Sequence, residues 1–450
     1  MSIDANKVRE TLSNNILADG FEPILDLEKS HDSWIVDKRN GAKYLDMFSM
    51  YASGCIGYNH PRILENKDLL ANVSLFKPTL SDIYTTEYAD FMSVFSSMAI
   101  PDYLKNTFFI EGGSLAVENA LKVAFDWKVR KNLSKGIKNK GYKILHFKEA
   151  FHGRSGYTLS LTNTDPVKTK YFPKFDWPRI DNPYLTFPLN EKVISDVKDK
   201  ELLAVKQIEQ AILDFPNDIA ALIIEPIQGE GGDNHFRCKF FEMLRNLADE
   251  HEFLLIYDEV QTGIGITGKM WAHQNFTPSL CPCDTKIKEF PKPDIISFGK
   301  KTQVCGILAG DRILEVENNV FKKSSRINST FGGSLTDMVR FKIILETIRD
   351  FDLLENASKN GKYLLSKLNS LESEFPAFVT NTRGLGLFCS FDLPSDLERD
   401  KFCKKAYENN LMILGCGVKS VRFRPHLTVS ESEIDFAIDI VKKSIKSILK

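Results

Sequence analysis

The sequence predicts an α/β fold, with a large, mostly parallel sheet domain and a smaller α+β domain. Three observations predict it. Short β-branched or aromatic runs alternate with amphipathic stretches at helical spacing. The order strand, helix, strand recurs without an internal repeat or low-complexity tract, the pattern of strands joined by crossover helices. The C-terminal stretch breaks that rhythm with a self-contained, capped amphipathic helix.

The strand candidates are "TFFIEGG", "YKILHF", "IAALIIEP", "EFLLIYDE" and "DIISFGK". Between them, "KFFEMLRNLADEH" places Phe240, Phe241, Leu244, Leu247 and Ala248 on one helical face. After "TFFI", the stretch "LAVENALKVAF" reads as a helix with Leu115, Val117, Leu121 and Phe125 as core candidates. At the end of the chain Ser430 and Glu433 have capping-box spacing. They are followed by Ile434, Ala437, Ile438, Val441, Ile445 and Ile448 on one stripe. These readings give three segments: 1–60 as the first part of the small domain, 61–335 as the large domain, and 336–450 as the rest of the small domain.

Composition narrows the function. A chain of 450 residues, 43% hydrophobic, can bury a large core, and 59 basic against 60 acidic residues create no global field for nucleic acid or a membrane surface. Small-molecule partners are expected, with no nucleic acid and no membrane. The start "MSIDANKVRE" lacks the basic and apolar regions of a signal peptide, and no apolar run approaches membrane-spanning length. The 8 cysteines are too sparse for a disulfide framework, so a reducing, cytoplasmic location is expected. "KVRKNLSKGIKNKGYK", Lys128 to Lys143, is basic, but no aromatics interleave for base stacking; it reads as a solvated helix end running into a loop.

In open parallel sheets ligands bind beyond the carboxyl ends of the strands. After "TFFI" come Glu111, Gly112, Gly113 and Ser114, a turn whose amides can approach an anion at the positive end of the next helix. After "FLLIY" comes Asp258, a carboxylate that needs a partner at the end of an apolar strand, either as a cap or as the counter-ion of a buried cation. After "DIISFG" come Lys300 and Lys301. Pyridoxal phosphate has a ring nitrogen that wants a carboxylate, a phosphate that wants amides and hydroxyls, and an aldehyde that wants a lysine. Successive side chains leaving a strand point to opposite sides, so one lysine of the pair faces the pocket; order alone does not choose between them.

The stretches "EPIQGEGGDNHF", "DEVQTGIGITGKMWAH", "SFGKK", "FHGRSGYTLSLTNT", "YFPKFDWPRID" and "NSTFGGSLTDMVR" resemble, in order, the motifs of class III pyridoxal-phosphate-dependent aminotransferases. Within that family the lysine ε-aminotransferases are the group most alike. The resemblance implies a fold-type I transferase whose Schiff-base lysine directly follows the glycine, which selects Lys300. It further implies that Gly113 and Ser114 hold the phosphate, Phe151 stacks on the ring, Asp258 pairs with the pyridinium nitrogen and Gln261 neighbours the ring hydroxyl. Ser329 and Thr330 match a segment that reaches the phosphate from the other subunit, implying a homodimer with shared sites. Arg154 and Arg422 match two carboxylate-binding arginines, and Glu230 a residue that masks the second. The family's Pro-Pro-Leu is replaced by Pro425, His426 and Leu427, which leaves Arg424 as a rival to Arg422. The insert "TPSLCPCDTKIKEFPKP" carries Cys281 and Cys283, too few ligands for zinc, and reads as a surface loop with no metal expected.

The implied reaction moves the ε-amino group of L-lysine to 2-oxoglutarate by a ping-pong route, giving 2-aminoadipate 6-semialdehyde and glutamate. Alternatives that reuse the same residues are a 4-aminobutyrate or ornithine ω-aminotransferase and an aminomutase, which would need no separate amino acceptor.

Overall fold

The computed structural model describes residues 3–277, 287 and 289–450. The large sheet has β1 (Asn106–Ile110), β2 (Lys143–Phe147), β3 (Arg179–Ile180), β4 (Ile219–Ile224), β5 (Leu254–Asp258), β6 (Ile295–Phe298) and β7 (Cys305–Ala309), in the order β1-β7-β6-β5-β4-β2-β3. From β6 to β3 every neighbouring pair is parallel, whereas β7 runs antiparallel to both β6 and β1. The sheet is therefore mixed, parallel except for one inserted strand. All residues of β4, β5 and β6 are buried, as strands covered on both faces must be. The reversal from β6 to β7 occupies only residues 299–304, and Lys300 stands inside it.

Helix α1 (Gly113–Ser134) buries Val117, Ala120, Leu121, Ala124 and Trp127 against the sheet. Leu115, expected in the core, is 41% exposed: two positions before Val117, it falls on the far face of the helix. In α2 (Cys238–Glu250), Phe240, Phe241, Leu244, Leu247 and Ala248 are all buried, as their spacing predicts. At the end of α1 the ammonium groups of Lys128, Lys131 and Lys135 converge on Glu252, so part of the basic tract is locally neutralised.

Helix α3 (Leu335–Asp350) and a following helix, Leu353–Glu374, lead into a four-stranded antiparallel sheet of Thr380–Leu385, Phe388–Asp392, Ser420–Phe423 and Leu414–Cys416. A second, three-stranded sheet joins the two ends of the chain: Lys43–Asp46 pairs with Trp34–Val36 and, in parallel, with Leu411–Met412, bringing Leu45 beside Leu411. Helix α4 (Glu431–Ile448) begins with the expected capping box. The Ser430 hydroxyl accepts from the Glu433 amide at 3.3 Å, and the Glu433 carboxylate accepts from the Ser430 amide at 2.8 Å. One core cluster includes Leu45, Phe91, Leu222, Phe341, Val421 and Ile438, so both parts of the chain share it. Among the described residues no helix is long and apolar enough to cross a membrane. Cys281 and Cys283 lie outside the described residues.

One turn is strained. Ser49, Met50, Tyr51 and Ala52 have φ of 43°, 53°, 59° and 62°, a left-handed turn without glycine, which costs about 1–2 kcal/mol per residue. The carboxylate of Asp46 helps to hold it by accepting from the amides of Phe48 at 2.9 Å and Ser49 at 2.7 Å. Lys301 Nζ donates to the carbonyl of Ala52 at 3.2 Å.

Candidate active site

Beyond the carboxyl ends of β5 and β6, at the start of α1, lies a cavity of about 380 Å³. Gly113, Ser114, Phe151, Arg154, Glu230, Asp258, Gln261 and Lys300 all line it, together with His152, Ser155 and Glu225. Of the site residues singled out in the sequence, Arg422, Ser329 and Thr330 do not, although Arg422 reaches the lining through its ion pair with Glu230. Thr330 is exposed, and its carbonyl accepts from Ser81 Oγ at 3.1 Å.

The turn after β1 shows why glycine is needed. Gly112 has φ of 104°, and a Cβ on Gly113 would stand 3.0 Å from Val260 Cγ1. This lets the first turn of α1 close over the end of β5. Ser114 Oγ is then 2.6 Å from Ser155 Oγ and 2.7 Å from Thr158 Oγ1, while Ser155 Oγ donates to Glu118 at 2.7 Å. Gly153, with φ of 115°, leaves room for this hydroxyl cluster: a Cβ there would lie 2.2 Å from Ser114 Oγ. Hydroxyls at the start of a long helix suit an anion.

Asp258 ends β5 and is 4% exposed. Its Oδ2 is 2.7 Å from His152 Nδ1, and its Oδ1 accepts from Ser297 Oγ at 3.0 Å and from the Val260 amide at 3.1 Å. His152 Nε2 is buried without a hydrogen-bond partner among the described residues. Glu225 accepts from the amides of Phe151 at 2.9 Å and Gly229 at 3.1 Å, and burial pushes its carboxyl up to about 7.

The structure separates the two lysines. Lys300, at φ of 57°, lines the cavity, and burial, followed by the nearby charge of Arg422, lowers its amine below the ordinary range. Lys301 points the other way, 2% exposed, and donates to the carbonyls of Gln261 at 2.8 Å and Ala52 at 3.2 Å; burial pushes it down to about 7.

The two arginines differ as well. Arg154 is exposed at the cavity mouth. Arg422 is 4% exposed, and its Nη2 lies 3.0 Å from Glu230 Oε2, while Nη1 has no hydrogen-bond partner among the described residues. Glu230 also meets Lys168 Nζ at 2.7 Å. Burial alone would raise the Glu230 carboxyl, but the charge of Arg422 and the hydrogen bond from Lys168 outweigh it and hold it at about 2. Arg424, the rival, is engaged elsewhere: its guanidinium pairs with Asp233 and lies 3.2 Å from the centre of the Phe388 ring.

Sequence reasoning missed His152, Ser155, Glu225 and Lys168. The first two flank Arg154 in a motif already noticed, and Glu225 opens "EPIQ". Lys168, on a polar stretch after the motif, carries no signal of its own. Together the cavity offers an amine of lowered basicity, a buried carboxylate, a hydroxyl-lined helix start and a guarded cation. A planar ring with a basic nitrogen, an anionic tail and an aldehyde finds a matching group for each function here.

A family model for class-III aminotransferases matches residues 17–445, and the chain belongs to that family. The L-lysine-epsilon aminotransferase of Mycobacterium tuberculosis (strain ATCC 25618 / H37Rv) is 47% identical over 444 residues, 98% of this chain and 95% of the relative. The 4-aminobutyrate aminotransferase of Kluyveromyces lactis is 33% identical over 446 residues, 94% of this chain and 90% of the relative. A solved structure of lysine aminotransferase from M. tuberculosis matches with a TM-score of 0.94 at 46% identity, covering 99% of this chain and 100% of that one.

Proposed function

We propose that the protein transfers the ε-amino group of L-lysine to 2-oxoglutarate with pyridoxal 5'-phosphate as cofactor, releasing 2-aminoadipate 6-semialdehyde and glutamate. The observation that carries this reading is the convergence of Lys300, Asp258 and Glu230 on one cavity, with Arg422 held behind Glu230 as its ion-pair partner. The stronger likeness to lysine ε-aminotransferases than to a 4-aminobutyrate enzyme supports lysine as donor.

When bound, pyridoxal phosphate supplies an electron-accepting ring that makes the C–H bond beside the substrate nitrogen acidic. Gly113 and Ser114 receive its phosphate at the start of α1. Phe151 would stack on the ring, Gln261 would neighbour the ring hydroxyl, and Asp258, oriented by His152 and Ser297, would pair with the ring nitrogen and favour its protonated form. Lys300 anchors the cofactor through Nζ. With its basicity lowered by burial, the Lys300 amine would take the proton from the substrate carbon that bears the transferred nitrogen. Ser329 and Thr330, away from their own chain's cavity, serve the site of a second copy, which makes a homodimer the working unit.

The two amino donors pose opposite demands. Lysine presents its distal amine with its carboxylate far off; glutamate presents an α-amine with a carboxylate close by. Glu230 neutralises Arg422 while Arg154 takes the lysine carboxylate. Opening the pair frees Arg422 for glutamate, while Arg154 takes the distal carboxylate.

The test is product identity. Purified protein with cofactor, lysine and 2-oxoglutarate should form glutamate and a cyclic imine whose imine carbon lies across the ring nitrogen from the carbon bearing the carboxylate. An imine carbon that itself bears the carboxylate would mean α-transfer. Turnover without 2-oxoglutarate would mean an isomerase, and preference for 4-aminobutyrate or ornithine would move the enzyme to another donor.

A further inference from the structure

Arg424 does not line the cavity, yet it meets the cavity through one side chain. Its Nη1 and Nη2 grip the two carboxylate oxygens of Asp233, the first at 3.0 Å. Its Nε and Nη2 each donate to Gln261 Oε1 at 3.2 Å. A guanidinium carries donors only, so the Gln261 amide must turn its oxygen toward Arg424 and its NH2 group away. The amide also has a flat wall behind it: a Cβ on Gly229 would stand 2.2 Å from Gln261 Oε1, so glycine alone lets the amide lie in this place.

We propose that Arg424 is a positioning residue that fixes the polarity of the Gln261 amide, so that the cavity receives an N–H donor at that point and not a carbonyl oxygen. Asp233 is the anchor, because its two oxygens set the plane of the guanidinium fork. The group that fits opposite Gln261 is an anionic or strongly accepting oxygen, such as the deprotonated ring hydroxyl of the cofactor. A carbonyl in the same place would repel it. This rests on the proposed placement of the cofactor ring against Gln261.

The readout is the pH midpoint of the bound cofactor's visible absorbance in the holoenzyme, where a donor to the oxyanion favours the deprotonated form. The other ionisable groups facing the cavity, Lys300, Asp258, Glu225, Glu230, Arg154 and His152, stay the same in every variant. Gln261→Met removes the donor and should raise the midpoint by about one unit. If it does not, the ring is not at Gln261, and the site assignment falls together with this proposal. Arg424→Lys keeps a cation for Asp233 but replaces the fork by a single ammonium. It should raise the midpoint comparably on the native background and add nothing when Met already occupies position 261. Should Arg424→Lys fail to hold cofactor, Asp233→Asn, which loosens the grip on the fork, should give a smaller rise in the same direction, again absent on the Met background. With Gln261→Met shifted, a native midpoint in the folded Arg424 or Asp233 variant overturns the proposal. So does a shift that persists undiminished in the double variant.

Discussion

Arg422 and Glu230 form an ion pair 3.0 Å long at the wall of the cavity, and Lys168 closes on the same carboxylate from the other side at 2.7 Å. The mask over Arg422 is thus itself held by two cations. Glu230→Ala should slow the lysine half-reaction while sparing or speeding the glutamate half-reaction, since no pair then has to open. Single-turnover spectra with each donor separate the two, and equal slowing of both would reduce Glu230 to a brace for its turn. With its carboxyl held at about 2, below the ordinary 4.5, Glu230 stays ionised above that value, and the pair is lost only as pH falls through it. The donor preference should therefore not reverse between about pH 5 and 9 through this residue.

The lysine pair gives a second prediction. Lys300→Ala should abolish the cofactor's lysine-bound absorbance and lower turnover by at least about 10²–10⁴-fold, because anchor and proton carrier leave together. Lys301→Met should keep that absorbance. Its effect is on stability: a lysine at about 7 when folded, below its ordinary 10.5 when unfolded, binds fewer protons in the folded state between those values. Stability should therefore rise with pH across that window in the native protein, and the rise should shrink in Lys301→Met. Thermal melts at several pH values check this.

The hydroxyl cluster supplies a third. Gly153→Ala sets a Cβ against Ser114 Oγ at a φ of 115°, a strain of about 1–3 kcal/mol before any contact is lost. Cofactor retention should fall more than the melting temperature of the apoprotein. The reverse ranking would make Gly153 a residue of the fold and not of the site.

Thr330 supplies the fourth. If it serves a second copy, Thr330→Ala should weaken cofactor binding roughly ten- to hundredfold, the value of a hydrogen bond to a charged group. Dilution that yields verified monomers should release cofactor from the native protein as well. Monomers that keep it would separate Thr330 from the phosphate.

The sequence is most legible where physics is local. β4, β5 and β6 are continuous apolar runs, and runs of that kind have few alternatives to a doubly covered strand. The capping box at Ser430 is written in two residues three apart. β7 was not legible: "CGILA" follows the end of β6 after only residues 299–304, too few for the crossover helix that the rest of the pattern suggests. β3 is two residues long and has no period to read. In the site, Asp258 and Lys300 stand out because a polar residue ends an apolar strand. Lys168 reaches Glu230 only through tertiary folding, so nothing near it in the chain could mark it. Lys301, set beside Lys300 in sequence, faces away from the cavity across the left-handed backbone of Lys300 itself.

The parallel pairing of Lys43–Asp46 with Leu411–Met412 sets an order of events during synthesis. Residues near position 45 leave the ribosome well before the strand that flanks them at position 411 is made. At about 5–20 residues per second, the early strand waits many seconds with one edge unpaired, and an open edge is a template for pairing with other chains. The nascent chain is thus open to association until the strand at position 411 emerges. Codon changes that slow translation between these two positions should lower the yield of folded protein more than the same delay placed after residue 412.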